Sequence, residues 1–187
     1  MRFFPGEWLE NLNRKTNWHR YFSDAVTPQS NPATALLIQS KRLPLIWDEL
    51  QTQMHFWKKY LPETKDVRQV KIDSGQWVLK PAFGRVGQDI GIYGVNEKKD
   101  WEKIVRYAKK HPRHWIAQKR FVPVAFETEN GPMYPCIGVY TIDGKAAGVY
   151  GRISKQAIID QYAFDAAVLV NRPKEATVLC TSTGSKI

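Results

Sequence analysis

Two runs of alternating apolar residues meet at an Asp-Gly dipeptide in CIGVYTIDGKAAGVYGRIS (residues 136–154). Period-two alternation puts the apolar side chains on one face of a strand. Asp-Gly between two such runs marks a type I′ hairpin, whose two central residues both need positive φ. The chain must therefore build antiparallel sheet here. A second bend is predicted in WVLKPAFGRVGQDIGIYG (77–94), where alternating ends flank Gly-Arg-Val-Gly. VRQVKID (67–73) and QWVLKPA (76–82) read as strands separated by the turn signal Asp73-Ser74-Gly75, IGIYGV (90–95) reads as another, and a further strand begins at Trp115.

Between these strands lies NEKKDWEKIVRYAKKH (96–111). Its Trp101, Ile104, Val105 and Ala108 recur at i, i+3, i+4 and i+7, the spacing of one helix face. The first third is predicted to be mainly helical. A short helix is expected over Glu7 to Leu12, and TPQSNPA (27–33) reads as a loop. Asn31-Pro32 signals a helix start, with Ala35, Leu36, Ile38, Leu43, Leu45, Ile46 and Leu50 as inward candidates and Pro44 capping or kinking it. A second helical piece carries Phe56, Trp57 and Tyr60 and ends at Leu61-Pro62, while TSTGSK near the end reads as a loose tail. The resulting expectation is an α+β chain: a mainly helical segment over 1–62, an antiparallel-rich lobe with flanking helices over 63–170, and a tail over 171–187.

Composition narrows the partners. With 43% hydrophobic and 12% aromatic residues in 187, a packed core is feasible. The net charge of +10 favours an anionic partner, either nucleotide phosphates, nucleic acid or an anionic surface. Two cysteines, Cys136 and Cys180, form no CxxC, and His19, His55, His111 and His114 give no zinc spacing. No apolar run approaches the roughly 18–20 residues of a membrane span. The opening MRFFPGEWLENLNRK has no long apolar stretch of the kind a secretory signal needs. The expectation is a cytoplasmic protein without a membrane segment.

Several residues point to chemistry. Gly84 and Gly87 let the backbone of the bend approach a ligand closely, and successive N–H groups there can face an anion. Lys80, just before the bend, offers a point charge, and Arg85, inside it, a guanidinium fork suited to phosphate oxygens. No GK[ST] follows, so the bend is not a Walker A loop. Gln118, in WIAQKR (115–120), has both a donor and an acceptor for a base edge. Arg152 follows the strand AAGVYG (146–151), where a guanidinium can stabilise a transferring phosphoryl group. Each has a plainer reading, as turn glycines, a strand end or solvated charges. The cluster Lys109, Lys110, His111, Arg113, His114, Lys119 and Arg120, with Trp115 and Phe121 interleaved, would suit nucleic acid. The helix dipole equally accounts for Lys109 and Lys110 at a helix end. Asp160 with Asp165, and Glu127 with Glu129, lack the spacing of a two-metal or acid–base pair.

The order of the pieces adds more. FFPGEWL (3–9), SNPATALLIQSKRLPLIWDEL (30–50), WVLKPAFGRVGQDI (77–90), WIAQKRFVPV (115–124) and YPCIGVYTIDGKAAGVYGRIS (134–154) follow one another in a way that resembles the C-terminal half of the glutathionylspermidine synthase-like ATP-grasp family. The resemblance covers roughly residues 3–165. It implies an ATP-grasp lobe binding ATP and Mg²⁺, in an enzyme that activates a carboxylate as an acyl phosphate and passes it to an amine. It places Lys41, Lys80, Gly84, Arg85, Gly87 and Gln118 at the nucleotide, and Arg152 with Arg85 at the transferring phosphoryl group. Val86 and Ile153 stand where the family has glutamates, and Tyr140 where it has tryptophan. The family's magnesium-binding Asp, Glu and Asn precede the segment at which this sequence starts, so the metal ligands are expected from outside it, from a second chain for example. The expectation is the ATP-binding part of a ligase, incomplete or degenerate. The alternatives are a non-catalytic ATP-grasp-fold module or a basic nucleic-acid-binding protein. The related circularly permuted ATP-grasp proteins are a second placement that leaves the same lysines on ATP.

Overall fold

The structure is a computed structural model that describes residues 35–170 together with residues 15, 17 and 26. The expected helix at Glu7 to Leu12, the loop 27–33, the helix start at Asn31-Pro32 and the tail lie outside the described residues. The architecture is α+β. The chain divides into two compact units, Met1–Pro123 and Val124–Ile187.

In the first unit, the short helices α1 (Ala35–Gln39) and α2 (His55–Tyr60) flank a 3-10 segment, Leu43–Glu49, with Pro44 in its first turn. Four antiparallel strands follow: β1 (Thr64–Lys65), β2 (Trp77–Pro81), β3 (Gly91–Ile92) and β4 (Trp115–Lys119), in the order β1-β4-β2-β3. Helix α3 (Lys98–Lys110) packs on one face of this sheet. Its Trp101, Ile104 and Ala108 join Trp77 and Leu79 of β2 and Trp115 and Ala117 of β4 in the core, as the helical spacing requires. Gly91 on β3 lets α3 come this close. A Cβ there would lie 2.7 Å from Ile104 Cγ2 and 3.3 Å from the Trp101 ring.

Three expectations differ from the observed elements. The predicted strand 67–73 is instead two 3-10 turns, Val67–Gln69 and Ile72–Ser74. The Asp66 carboxylate accepts the Arg68 N–H at 3.0 Å, so a local side-chain bond takes the donor a strand ladder needs. The turn at Asp73-Ser74-Gly75 is present, with Gly75 at φ 70°. The predicted strand 90–95 shortens to Gly91–Ile92 because the Asn96 side chain captures it. Its Oδ1 accepts from Ile92 N–H at 2.6 Å, and its amide donates to Ile90 O at 3.1 Å. Of the inward candidates near the start, Ile38, Ile46 and Leu50 are exposed, as are Phe56, Trp57 and Tyr60 of α2.

Arg42 and Asp66 fasten the 3-10 segment to the sheet. The Arg42 guanidinium donates to Pro112 O (3.0 Å) and Trp115 O (2.9 Å), and meets the Asp66 carboxylate at 3.3 Å. Asp66 also accepts two bonds from the Arg68 guanidinium, at 2.8 and 2.9 Å. Above all these Arg68 bonds, and then Arg42, hold its carboxyl well below the usual carboxylate range against the opposing cost of burial.

The second unit is a meander in the order β5-β6-β7-β8: β5 (Phe126–Thr128), β6 (Gly131–Ile142), β7 (Lys145–Ser154) and β8 (Phe164–Ala166). The predicted hairpin is its centre, with Ile142 opposite Lys145 and positive φ at both Asp143 (50°) and Gly144 (74°). A register shift after Tyr140 adds one residue to the turn-proximal end of the ladder.

Two predictions follow from the first unit. Gly91→Ala is expected to lower unfolding free energy in urea by about 1–3 kcal/mol, as overpacking does, and to cost less in an Ile104→Ala background, which lacks the Cγ2 methyl that the new Cβ would meet. Asp66 has a lower pKa folded than unfolded. Its stabilisation is therefore complete above the unfolded carboxylate value and lost as pH falls through the folded one. The urea midpoint should fall between about pH 5 and pH 2, and Asp66→Asn should flatten that fall while lowering the midpoint at neutral pH.

Candidate functional site

Alternation along β2 and β4 separates two jobs. Trp77 and Leu79 face α3, so Val78 and Lys80 project to the opposite face. On β4, Ile116 and Gln118 share that opposite face, with Gln118 across from Val78 and Ile116 across from Lys80. On β1, Thr64 lies across from Gln118. The face away from α3 thus carries a row Thr64, Gln118, Val78 and, beside it, Lys80 next to Ile116. Val78 and Ile116 are buried, and they give this polar row an apolar floor.

The polar side chains are tied in sequence. Lys80 Nζ donates to Gln118 Oε1 at 2.7 Å, and Gln118 Nε2 donates to Thr64 Oγ1 at 3.2 Å. The Thr64 hydroxyl donates onward to Pro62 O at 3.3 Å. This chain orients the Gln118 amide, with its oxygen on the lysine and its nitrogen on the hydroxyl. Among the described residues, no carboxylate lies within salt-bridge reach of Lys80. Its pKa is lowered, first by burial and then by the charge of Lys41 nearby. An ammonium held half-buried beside a second ammonium, with an amide oxygen as its partner among the described residues, gains from an anion arriving between them.

Lys41 reaches this place from the turn that precedes the 3-10 segment. Its backbone N–H donates to Ala82 O at 2.9 Å, and Ala82 N–H donates to His114 O at 2.8 Å, so the segment lies against the end of β2 and β4. The Lys41 ammonium donates to Gly84 O at 2.5 Å, on the bend that follows β2. Gly84 admits no side chain, because a Cβ there would sit 2.4 Å from Pro81 Cγ. Beyond it, Gln88 N–H donates to Arg85 O at 2.8 Å, closing a turn whose central residues Val86 (φ 49°) and Gly87 (φ 72°) are both left-handed. Glycine adopts that conformation at little cost, whereas a β-branched valine is strained in it.

The structure therefore brings Lys41, Lys80, Gly84 and Gln118 together, with Arg85 and Gly87 in the same bend. Arg152 lies in the second unit, near the end of β7, paired across from Cys136 on β6 and Asp165 on β8. Its guanidinium donates to the Asp160 carbonyl. The Tyr150 hydroxyl, two residues earlier on the same face, donates to the Asp165 carboxylate, and this bond foremost pushes the phenol pKa up.

Sequence reasoning missed Thr64 and Arg42. Thr64 belongs to a two-residue strand, too short for any periodicity, and Arg42 is one of two adjacent cations of which the motif singled out only the first. Trp115, expected among the residues interleaved in a basic cluster, is instead a core residue. Among the described residues, no three His, Cys, Asp or Glu side chains are grouped to hold a metal ion.

Residues 1–170 match the family described as glutathionylspermidine synthase preATP-grasp. A curated protein of Haemophilus influenzae bearing the name "Putative acid--amine ligase" is 25% identical over 157 residues, which cover 79% of this chain. The matched stretch spans 35% of that relative's length. Since the family match takes in most of the 187 residues, the chain belongs to the glutathionylspermidine synthase preATP-grasp family.

Proposed function

We propose that this protein is the ATP-binding part of a carboxylate–amine ligase, and that the phosphates of ATP lie against Lys80 and Lys41 beneath the bend 84–87. The observation that carries this reading is the Lys80 ammonium itself. It is half-buried, depressed in pKa by burial and by Lys41, and bonded to an amide oxygen instead of a carboxylate. A phosphate supplies the missing negative charge and draws both lysines onto its oxygens. The family membership and the relative named as an acid–amine ligase support the reaction class.

ATP supplies the phosphoryl group that turns a carboxylate into an acyl phosphate open to attack by an amine. The residues of this chain bind and orient. Lys80 and Lys41 hold phosphate oxygens, Gln118 offers its amide to the base once Lys80 has turned away, and Arg85 closes over the phosphates from the bend. Arg152 is the guanidinium of the second unit that this reading assigns to the developing charge. The described residues do not fit a magnesium site, since no three His, Cys, Asp or Glu side chains among them are grouped to hold one. In this reading its ligands come from polypeptide beyond the described residues, in a longer chain or a second one. The relative, of which the match covers only 35%, has room for them.

A second reading, a nucleotide-binding module without turnover, is favoured by Val86 and Ile153, apolar where the resemblance places glutamates. Both readings require the same binding site and differ in whether ADP is released in the presence of an acid and an amine.

Isothermal titration with a non-hydrolysable ATP analogue tests the site. Loss of one charge-assisted hydrogen bond is worth about 1.5–3 kcal/mol, so Lys80→Met should bind about tenfold to a hundredfold more weakly. The variant should fold as well as the parent, because it removes a buried charge. Affinity should also fall with rising pH sooner than an ordinary lysine would dictate, since the Lys80 proton is lost early. Equal affinity of parent and variant would refute the site.

A further inference from the structure

The solvent face of α3, on the side of the first-unit sheet away from Lys80, has no part in the site above. Lys99, Lys103, Arg106 and Lys110 are spaced four, three and four residues apart, so they fall in one line along the helix. All four are exposed, and among the described residues none makes an ion pair. The line is about 16 Å long at 1.5 Å per residue. Tyr107, half-exposed, stands next to it and stacks on His111 with ring centroids 6.3 Å apart. His111 in turn meets His114 edge-on at 6.4 Å.

The helix dipole explains only part of this charge. It favours Lys109 and Lys110 in the last turn, but Lys98 and Lys99 stand in the first turn, where a cation is disfavoured. No side chain caps that N-terminus. Charge is also unevenly spread along the protein. Residues 124–187 carry equal numbers of acidic and basic side chains, so the whole net charge of +10 falls on the first unit. A row of cations along one exposed helix face, with one member, Lys99, in the first turn where the dipole disfavours it and an aromatic stack at its flank, matches a strand of phosphates that carries bases able to stack.

We propose that the exposed face of α3 docks single-stranded nucleic acid, its phosphates along Lys99, Lys103, Arg106 and Lys110 and a base against Tyr107 and His111. The surface is independent of the proposed ATP site, because α3 covers the opposite face of the sheet.

The test is fluorescence anisotropy of the full chain with a labelled single-stranded oligonucleotide across a salt series. Binding should weaken as salt rises, and Lys99→Gln with Lys103→Gln should make the slope of log affinity against log salt shallower by about 1.4, the single-strand value for two lost phosphate contacts. Tyr107→Ala should weaken binding with little change in that slope. Lys80→Met should leave it unchanged, so a failed ATP site and a failed α3 surface are told apart. Thermal melting should show the double glutamine variant at least as stable as the parent. The proposal is overturned by absence of binding, by binding unaltered in the double variant, or by labelled poly-glutamate or anionic vesicles binding as tightly as the oligonucleotide.

Discussion

An ammonium set half-buried beside another ammonium is a costly arrangement, and the Lys80–Lys41 pair is what the rest of the first unit holds in place. Lys80 stands on β2 across from the buried Ile116 and just before the bend. Lys41 is fixed from the other side, through its backbone bond to Ala82 and its side-chain bond to Gly84. Arg42, the next residue, anchors that segment to Pro112, Trp115 and Asp66. Two neighbouring cations thus divide the work, one turned to the proposed ligand and one to the scaffold. The Gln118–Thr64 bond completes the arrangement by aiming an amide oxygen at Lys80.

The same sheet explains why such a site can exist in a small unit. One face is filled by Trp101, Ile104 and Ala108 of α3 against Trp77, Leu79, Trp115 and Ala117, with Leu79 wholly buried. That core supports β2 and β4 rigidly enough for their other face to carry polar and charged side chains. Period-two alternation keeps the two roles on the same strands without conflict. Gly91 contributes by letting α3 approach, so a residue on the core side helps determine where Lys80 stands.

Much of this was legible in the sequence where a periodic pattern was long or a turn had specific chemistry. The Asp143-Gly144 hairpin, α3 with Trp101, Ile104 and Ala108 in the core and Val105 packed against it, and β4 from Trp115 are of this kind. The segment 67–73 misled, because alternation there competes with the Asp66 side chain, which pulls the backbone into 3-10 turns. Asn96 shortened β3 in the same manner, by a single polar side chain that no hydrophobic pattern registers. At the site, Lys80, Gln118, Lys41 and the glycine bend were readable from ordered motifs. Thr64 was not, since its role comes only from register across from Gln118. The line of cations on α3 was visible only at its end. Its last member, Lys110, stood out within the basic cluster that starts at Lys109, but Lys99, Lys103 and Arg106 need the helix geometry.

A crystal structure of the protein with a non-hydrolysable ATP analogue puts the central claim to the most direct test. In that complex the Lys80 ammonium should leave Gln118 Oε1 and, together with Lys41, lie within hydrogen-bond distance of phosphate oxygens beneath the 84–87 bend. An analogue bound elsewhere on the protein, with the Lys80–Gln118 bond intact, would contradict it.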